Sequence, residues 1–367
     1  MVNNKYPKVA LVTESLYSMG GANRVLEKFL DMFPNSDIYA LFGDRNRVSN
    51  KFNKVKIYFS FINKFPFVKK LYRYTHFLWP MAIEQFDFTS YDLVISSSSS
   101  VAHGVITPIY CKHICYLHSP MRYAWDLKDL YMKETKFGLL KRAIVKIFLN
   151  FNRVWDTCAS QRPDVVIANS KFVKDRAEKY WGRNIEHVIC PPVDKFNGNI
   201  DIKRGNYFVS GAPFEPNKGG DFLMYCASIM KFNLKVIGEG SMRKRLERKY
   251  RRYPNIQFLG KVSEKEKWNI LSKARGYILT GIEDFGIFPV EAMSCGTPVL
   301  GYAKGGVLET VQDGKTGILF KEQSLQSFRR GFREIENKKW DYKYIHRYSE
   351  KFTKSDFREK ILSILNN

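Results

Sequence analysis

The sequence predicts an α/β protein built from two Rossmann-like domains with a cleft between them. Short apolar runs alternate with amphipathic stretches of helical spacing, which is the pattern of a parallel sheet covered by helices on both faces. The pattern breaks off at a polar stretch near residues 195–205 and then starts again, and a length of 367 residues fits about two domains. We therefore expect an N-terminal domain at 1–196, a C-terminal domain at 197–345 and a C-terminal helix at 346–367.

The predicted strands fall into two groups. In the first half they are residues 8–13, 37–42, 93–96, 112–117 and 165–168. A loop with Gly20 and Gly21 follows the first strand, and apolar residues from Val25 to Phe33 then recur at helical spacing. In the second half the predicted strands are residues 207–210, 234–237, 257–259, 276–280 and 298–301.

Composition limits the class of partner and the compartment. Lys and Arg number 60 against 36 Asp and Glu, so the net charge of +24 favours phosphate-bearing partners: nucleic acid, anionic lipid or a phosphorylated substrate. The six cysteines form no C-x-x-C pair, which argues against a zinc ribbon, and scattered thiols suit a reducing cytoplasm. The longest apolar runs, such as residues 143–151, are shorter than the ~20 residues of a membrane span, so we expect only peripheral membrane contact.

The strongest motif contains Glu283 and Glu291, eight positions apart. Between them, Gly286 leads into Pro289, which suits the first turn of a helix. Backbone N–H groups at the start of that helix would form an anion site. The flanking carboxylates could then accept hydrogen bonds from hydroxyls on either side, such as those of a sugar and a ribose. The spacing also fits an acidic first turn that complements the helix dipole, with a solvated glutamate beside it.

The order of residues resembles a known family. E-D-F-G-I-F-P-V-E followed by A-M-S-C-G-T-P-V is similar to the E-x7-E signature of retaining glycosyltransferases of family 4, which have the GT-B fold. Further matching segments are G-G-A at 20–22, I-C-Y-L-H-S-P-M-R-Y-A-W-D at 114–126, A-N-S-K-F-V at 168–173, P-P-V-D at 191–194 and K-G-G at 304–306. The segment at 114–126 resembles the subgroup of O-antigen and capsule mannosyltransferases.

This resemblance implies an architecture and a division of labour. Two Rossmann-like domains would face a central cleft, and the C-terminal helix would pack back toward the first domain. The first domain would bind the acceptor and the second the nucleotide-sugar.

The resemblance also implies roles for individual residues. Lys218, in E-P-N-K-G-G, would hold the donor diphosphate and stabilise the charge that grows on the leaving nucleotide. His118 would face the transferred sugar near the reacting carbon. Glu283 would contact the sugar hydroxyls and Glu291 the ribose, so the expected catalytic residues are His118, Lys218 and Glu283.

Other residues are expected around these. The further donor-binding candidates are Gly20, Gly21, Ala22, Val262, Gly286, Ile287 and Phe288. Arg122 and Asp126 are the candidates for orienting His118 or contacting the acceptor. The family often has an arginine about five positions before the lysine, where this sequence has G-A-P at 211–213, so Arg243 is the candidate replacement.

The implied reaction is transfer of a hexose with retention of configuration, through a front-side or a covalent route. The subgroup points to mannose from GDP-mannose and to a lipid-linked saccharide acceptor in surface polysaccharide assembly, such as O-antigen, capsule or exopolysaccharide. A UDP-hexose is the alternative donor. The family needs no metal or other cofactor, and the sequence has no D-x-D and no His/Cys cluster with ligand spacing.

A basic aromatic stretch favours a membrane partner. Residues 45–83 contain no Asp or Glu but interleave Lys and Arg with aromatic residues, which suits an anionic bilayer surface. We therefore expect a cytoplasmic protein bound peripherally to the inner face of the cell membrane. The alternative is that these aromatics fill the core of the first domain and the lysines only decorate it.

Two other classes of protein compete with this interpretation. A basic nucleic-acid-binding protein would explain the charge, but the sequence has no helix-turn-helix, RNP-like or zinc motif, so nucleic acid is not an expected partner. A degenerate, non-catalytic GT-B scaffold is suggested only by the missing arginine.

Overall fold

The computed structural model describes residues 5–65, 75–129, 138–211 and 214–366. The chain divides into two compact units, the first formed by Met1–Pro191 with Phe357–Asn367 and the second by Pro192–Asp356.

The first unit is built on a parallel sheet of seven strands. In chain order they are β1 (Val9–Leu16), β2 (Asp37–Gly43), β3 (Ile57–Phe59), β4 (Leu93–Ser98), β5 (Lys112–Leu117), β6 (Val165–Ala168) and β7 (His187–Val188). Their order across the sheet is β3-β2-β1-β4-β5-β6-β7, so the strand order reverses between β1 and β4. Loops that leave the carboxyl ends of two such strands diverge and leave a crevice, where ligands commonly bind in this kind of sheet.

Helices cover both faces of this sheet. They are α1 (Gly21–Met32), α2 (Trp79–Glu84), α3 (Leu139–Ala159) and α4 (Lys171–Trp181), together with the C-terminal helix α12 (Lys354–Asn366). The ring of Phe357 in α12 lies 5.5 Å from that of Phe29 in α1 and 5.6 Å from that of Tyr116 in β5. The C-terminal helix therefore packs into the core of the first unit, as the family resemblance implies.

The second unit has a parallel sheet of six strands. They are β8 (Phe208–Gly211), β9 (Leu234–Ile237), β10 (Ile256–Gly260), β11 (Gly276–Leu279), β12 (Val299–Tyr302) and β13 (Gly317–Phe320). The order is β10-β9-β8-β11-β12-β13, so this sheet reverses between β8 and β11.

The helices of the second unit connect these strands or follow them. They are α5 (Gly220–Met230), α6 (Arg243–Tyr250), α7 (Glu264–Lys273), α8 (Ile287–Ser294), α9 (Val307–Thr310), α10 (Leu325–Asn337) and α11 (Tyr342–Ser349). Helix α8 follows Gly286, whose φ is +92°, and it ends before Gly296, whose φ is +72°. The predicted helix of the glutamate motif is therefore confirmed, together with its glycine stop.

The structure contains every predicted strand, with bounds shifted by up to three residues, and adds three. Strands β3, β7 and β13 were not predicted; β3 and β7, with three and two residues, are too short to show a period. Among the residues that the structure describes, no helix is long and apolar enough to cross a membrane.

Candidate active site

Two predicted catalytic residues meet at the point where the second sheet reverses. Lys218 follows β8 and Glu283 follows β11, the adjacent strand. Nζ of Lys218 lies 2.5 Å from Oε2 of Glu283, and 18% of each side chain is exposed. Because neighbouring parallel strands end at the same edge of a sheet, two residues 65 positions apart come into contact.

Backbone contact between two loops fixes this pair. Thr280 donates a hydrogen bond from Oγ1 to the carbonyl oxygen of Gly219, at 2.9 Å. A Cβ at Gly219, where φ is +68°, would lie 2.7 Å from the carbonyl oxygen of Thr280, and a Cβ at Gly281 would lie 2.5 Å from that of Lys218. Both positions therefore require glycine for the loops to touch, and the loop contact sets the distance between Lys218 and Glu283.

The K-G-G segment at 304–306 holds Glu283 from the other side. Glu283 forms a parallel bridge with Gly305, and the N–H of Gly306 donates to the carbonyl oxygen of Glu283 at 2.9 Å. A Cβ at Gly306 would lie 2.5 Å from the carbonyl oxygen of Asp284. Two sequence motifs that resemble those of the family therefore form one packed feature.

Glu291 occupies a different environment. Its side chain is 1% exposed, and Oε1 accepts a hydrogen bond from Nζ of Lys267 at 2.7 Å. Lys267 is in α7, is 4% exposed, and also lies 2.7 Å from Oε2 of Glu264. Sequence analysis missed Lys267, because a lysine in the E-K-E-K-W pattern of a helix looks like part of a solvated face. The contact of Glu291 with a ribose stays a prediction.

The turn that opens α8 is joined to both central strands of the sheet. The ring of Phe288 covers Gly211, where a Cβ would lie 2.6 Å from the ring, and it stacks on Tyr277 with centroids 5.9 Å apart. The hydroxyl of Tyr277 donates to the carbonyl oxygen of Gly211 at 2.5 Å. Gly286 is the N-cap of α8 and Ile287 its first residue. This packing fixes the turn against β8, the strand that leads to Lys218.

Arg243, the candidate replacement arginine, is held by two carboxylates. Its Nε donates to Oε1 of Glu247 at 2.6 Å, and a guanidinium N–H group pairs with Glu239. The hydrogen bond that Arg243 donates to Glu247 raises the pKa of Arg243 above its usual value. The guanidinium also lies beside Gly260, the last residue of β10, which leads into the loop with Val262.

The arginine that the family often carries aligns near Ala212. Ala212 and Pro213 lie outside the described residues. The roles of Arg243 and Val262 stay predictions.

In the first unit, His118 is linked to the glycine loop through one serine. His118 follows β5, and its Nε2 lies 2.8 Å from Oγ of Ser97 in β4. The same hydroxyl donates to the carbonyl oxygen of Ala22 at 3.3 Å. Ser97 was not a predicted site residue, although it stands in the run of serines at 96–100 that ends β4.

A cavity of about 450 Å³ opens where the first sheet reverses, between β1 and β4. The predicted residues Gly20, Gly21 and Ala22 line it, and so do Glu14, Ser99 and Ser100. The wall also contains three aromatic rings, of which His76 lies 4.1 Å from Trp79 and 4.8 Å from Tyr123 between centroids. Aromatic surface beside a few fixed polar groups is typical of a small-molecule site.

Glu14 organises one wall of this cavity. Its side chain is buried, and Oε1 accepts hydrogen bonds of 2.8 to 3.0 Å from the N–H groups of Ser99, Ser100, Val101 and Ala102. Burial raises the pKa of Glu14, while these hydrogen bonds oppose the change. Sequence analysis missed Glu14; the available signal was a single charge inside the apolar strand β1.

The predicted acceptor residues pair with each other. Arg122 donates from its guanidinium to Oδ2 of Asp126 at 3.1 Å. Arg176, from α4, lies 3.7 Å from the same oxygen and donates to Oγ of Ser119 at 3.0 Å. Arg122 and Asp126 therefore belong to a charged cluster that continues the His-Ser-Pro segment, and their contact with an acceptor stays a prediction.

Comparison with known proteins gives a family match in the second unit. Residues 195–354 match the family described as Glycosyl transferases group 1. This match contains Lys218, Glu283 and Glu291. It supports the expected family and the expectation of a transferase for this segment, which is less than half of the chain.

Two curated relatives match parts of the chain. An uncharacterized glycosyltransferase of Methanocaldococcus jannaschii is 27% identical over 216 residues, which are 57% of this chain and 52% of that protein. The alpha-1,3/1,6-mannosyltransferase ALG2 of Dictyostelium discoideum is 34% identical over 116 residues, 30% of this chain and 27% of that protein. The chain thus spans about half the length of the first relative and about a quarter of the second.

A solved structure matches the whole fold. The structure of Anabaena HepE in complex with UDP and glucose is 17% identical, with a TM-score of 0.69 over 98% of this chain and 99% of that one. This likeness confirms the predicted GT-B fold class with its two Rossmann-like sheets. Whether the chain belongs to the mannosyltransferase subgroup stays a prediction.

Proposed function

We propose that this chain, whose residues 195–354 match the glycosyl transferases group 1 family, transfers a hexose from a nucleotide-sugar with retention of configuration. The observation that carries the proposal is the contact between Lys218 and Glu283, which two glycine-lined loops hold at the reversal point of the second sheet. An ammonium and a carboxylate at that point provide one group for a diphosphate and one for sugar hydroxyls.

The pair suggests how a donor is received. When a nucleotide-sugar binds, its diphosphate takes the place of the Glu283 carboxylate beside the Lys218 ammonium. Lys218 then stabilises the negative charge that develops on the leaving nucleotide, a role for which a fixed cation is effective. Glu283 becomes available to accept hydrogen bonds from the hydroxyls of the transferred sugar. The N–H groups at the start of α8 add a second anion-binding element, so this mechanism uses no metal.

His118 is the candidate for the sugar contact on the first unit. Its hydrogen bond to Ser97 orients the imidazole ring relative to the 20–22 loop. This arrangement supports a role in positioning the transferred sugar.

For the donor we propose GDP-mannose. The residues at 114–126 resemble those of a mannosyltransferase subgroup, and the Dictyostelium relative is named a mannosyltransferase. A UDP-hexose is the second candidate, because the similar Anabaena structure is a complex with UDP and glucose.

For the acceptor we propose a lipid-linked saccharide at the inner face of the cell membrane, in the assembly of a surface polysaccharide. The cavity of the first unit supports a saccharide, since aromatic rings suit the C–H face of a sugar and the carboxylate and hydroxyls suit its polar edge. The basic charge of the chain supports a negatively charged membrane as partner.

A panel of GDP- and UDP-sugars tests the donor. We expect GDP-mannose to raise the melting temperature and to be hydrolysed slowly, and Lys218→Met to abolish both effects. Lys315→Met, at an exposed lysine of the same unit, is the matched control. If only UDP-hexoses stabilise the chain and are hydrolysed, a UDP-hexose replaces GDP-mannose as the proposed donor. If no nucleotide-sugar has either effect and the chain binds duplex DNA in a salt-dependent way, the nucleic-acid alternative is favoured.

A further inference from the structure

Helix α3 has its polar side inward and an apolar side outward. Facing the protein are Asn152 and Asp156, both buried, and Oδ2 of Asp156 accepts hydrogen bonds from the indole N–H groups of Trp125 at 2.8 Å and Trp181 at 2.7 Å. These buried hydrogen bonds fix the orientation of the helix, so its opposite face lies on the protein surface.

That opposite face consists of large apolar side chains. They are Ile144, Ile147, Phe148, Phe151 and Val154, with exposed fractions of 44%, 69%, 40%, 56% and 65%. Apart from the adjacent pair Ile147 and Phe148, these residues recur every three residues, which puts all five on one side of the helix, over about 15 Å of its length. Exposed apolar stripes of this kind mark contact surfaces rather than ordinary solvated helices.

One residue outside the helix extends the stripe. The ring of Phe77, 46% exposed, lies 5.5 Å from that of Phe148. We call Ile144, Ile147, Phe148, Phe151 and Val154, together with Phe77, the α3 surface.

Positive charge accompanies the α3 surface. Residues 138–155 contain no acidic residue, and Arg142 and Lys146 are exposed in the first two turns of α3. Glu84, in α2, is already engaged: Oε1 accepts from the indole N–H of Trp155 at 2.8 Å and lies 2.7 Å from a guanidinium nitrogen of Arg162. Apolar residues that penetrate a bilayer interface, with cations that reach the headgroups, are the features of a helix that lies on an anionic membrane.

We propose that the α3 surface docks the protein on an anionic lipid bilayer, with the apolar stripe in the interface and Arg142 and Lys146 at the headgroups. Charge complementarity favours lipid over a second copy of this chain, because a two-fold contact would bring the same cations together. This inference deepens the membrane contact in the proposed function and rests on it, but it assigns the contact to α3 rather than to residues 45–83 as a whole.

The described part of 45–83 agrees with this assignment. Phe52 is fully buried, as the core alternative expects, whereas Tyr58, Phe65 and Phe77 are 41%, 40% and 46% exposed. Lys69 and Lys70 of that stretch lie outside the described residues. Of these exposed residues, Phe77 contacts α3 through Phe148.

Co-sedimentation with vesicles tests the proposal. The purified chain is mixed with phosphatidylcholine vesicles, with or without phosphatidylglycerol. We expect sedimentation with the anionic vesicles. Ile147→Ser with Phe151→Ser should weaken it by roughly tenfold or more for each side chain, and Arg142→Gln with Lys146→Gln by roughly fivefold for each charge. The matched control is Tyr225→Ser with Ile229→Ser, which removes two apolar side chains of α5 that are 45% and 48% exposed and should change nothing.

Several outcomes would overturn the inference. One is equal sedimentation of the Ile147/Phe151 variant and the original chain. Another is a chain that ignores vesicles but forms dimers that the serine substitutions dissociate, which would make the α3 surface a contact between copies. Hydrolysis of the nucleotide-sugar in solution separates this inference from the proposed function. A chain that binds vesicles but hydrolyses no nucleotide-sugar would contradict the proposed enzyme activity alone. A chain that hydrolyses a nucleotide-sugar but does not bind vesicles would contradict the docking proposal alone.

Discussion

The Lys267 ammonium lies 2.7 Å from the Oε1 atom of Glu291, where the two side chains are 4% and 1% exposed. The other glutamate of the motif, Glu283, pairs with Lys218 where both side chains are 18% exposed. One pair is therefore closed to solvent and the other is accessible to a ligand. This difference predicts that Lys267 governs stability and that Lys218 and Glu283 govern donor handling.

Removing Lys267 should destabilise the second unit. Lys267→Met leaves the carboxylate of Glu291 buried without its cation, which costs about 3–5 kcal/mol in the free energy of unfolding. Adding Glu291→Leu removes the stranded charge and should recover most of that loss. Urea denaturation measures the free energy of unfolding of both variants. A loss below about 1 kcal/mol in Lys267→Met would show that the pair is not shielded from solvent.

Glu283→Ala should abolish transfer while leaving the fold intact. The carboxylate is partly exposed and contributes little to the core, but the proposal makes it the acceptor for the sugar hydroxyls, so we expect a loss of roughly 100-fold or more in kcat. Turnover of the donor together with a thermal melt separates the two effects. Glu322→Gln, at an exposed glutamate, is the control, and near-normal turnover of Glu283→Ala would remove this residue from the site.

Glu283 and Lys218 should also act as one unit. Lys218→Met alone, Glu283→Ala alone and the double variant should lose similar amounts of kcat/KM, because residues of one catalytic group give non-additive losses. Fully additive losses in this cycle would contradict a shared role.

The contact between the two loops can be tested at Gly219. Gly219→Ala places a Cβ 2.7 Å from the carbonyl oxygen of Thr280, so we expect a loss of stability and a displaced Lys218 with lower affinity for the donor. Gly314→Ala is the matched control, because Gly314 has a similar φ of +73° but open space around the Cβ. The control should cost only the backbone strain, about 1 kcal/mol, and equal effects in the two variants would argue against the close approach.

Acidification should destabilise the first unit through two buried histidines, and a buried aspartate should offset part of that effect. Burial lowers the pKa of His103 and of His113 to about 3 from 6.5, and raises the pKa of Asp156 to about 7 from 3.8. Between about pH 5 and pH 6, the unfolded chain therefore binds two protons at the histidines that the folded chain does not. The folded chain keeps one proton on Asp156 that the unfolded chain has lost, which offsets part of this effect.

Asp156→Asn tests this balance. The variant loses the offsetting proton, so its free energy of unfolding should fall more steeply on acidification, by about 1.4 kcal/mol per pH unit relative to the original chain. Urea denaturation at several pH values measures both slopes. Parallel slopes would mean that Asp156 is ionised in the folded protein.

The sequence alone determined the alternation of strands and helices, the break between the halves and the motif with Glu283 and Glu291. Lys218 was predicted through the resemblance of its E-P-N-K-G-G segment to a family motif, because a lysine in a turn carries no signal of its own. The sequence did not predict short strands such as β3, because three residues are too few to show a period.

Only the tertiary structure decided which groups meet and which way a face points. Lys267 becomes the partner of Glu291, and Glu14 the acceptor for four N–H groups, through contacts between elements distant in the chain. Periodicity shows that α3 has an apolar and a polar side, but the same pattern fits either side turned inward. The side with Asp156 turns inward because Trp125 and Trp181 donate hydrogen bonds to its buried carboxyl group. A buried carboxyl group needs such partners, and only the folded protein supplies them.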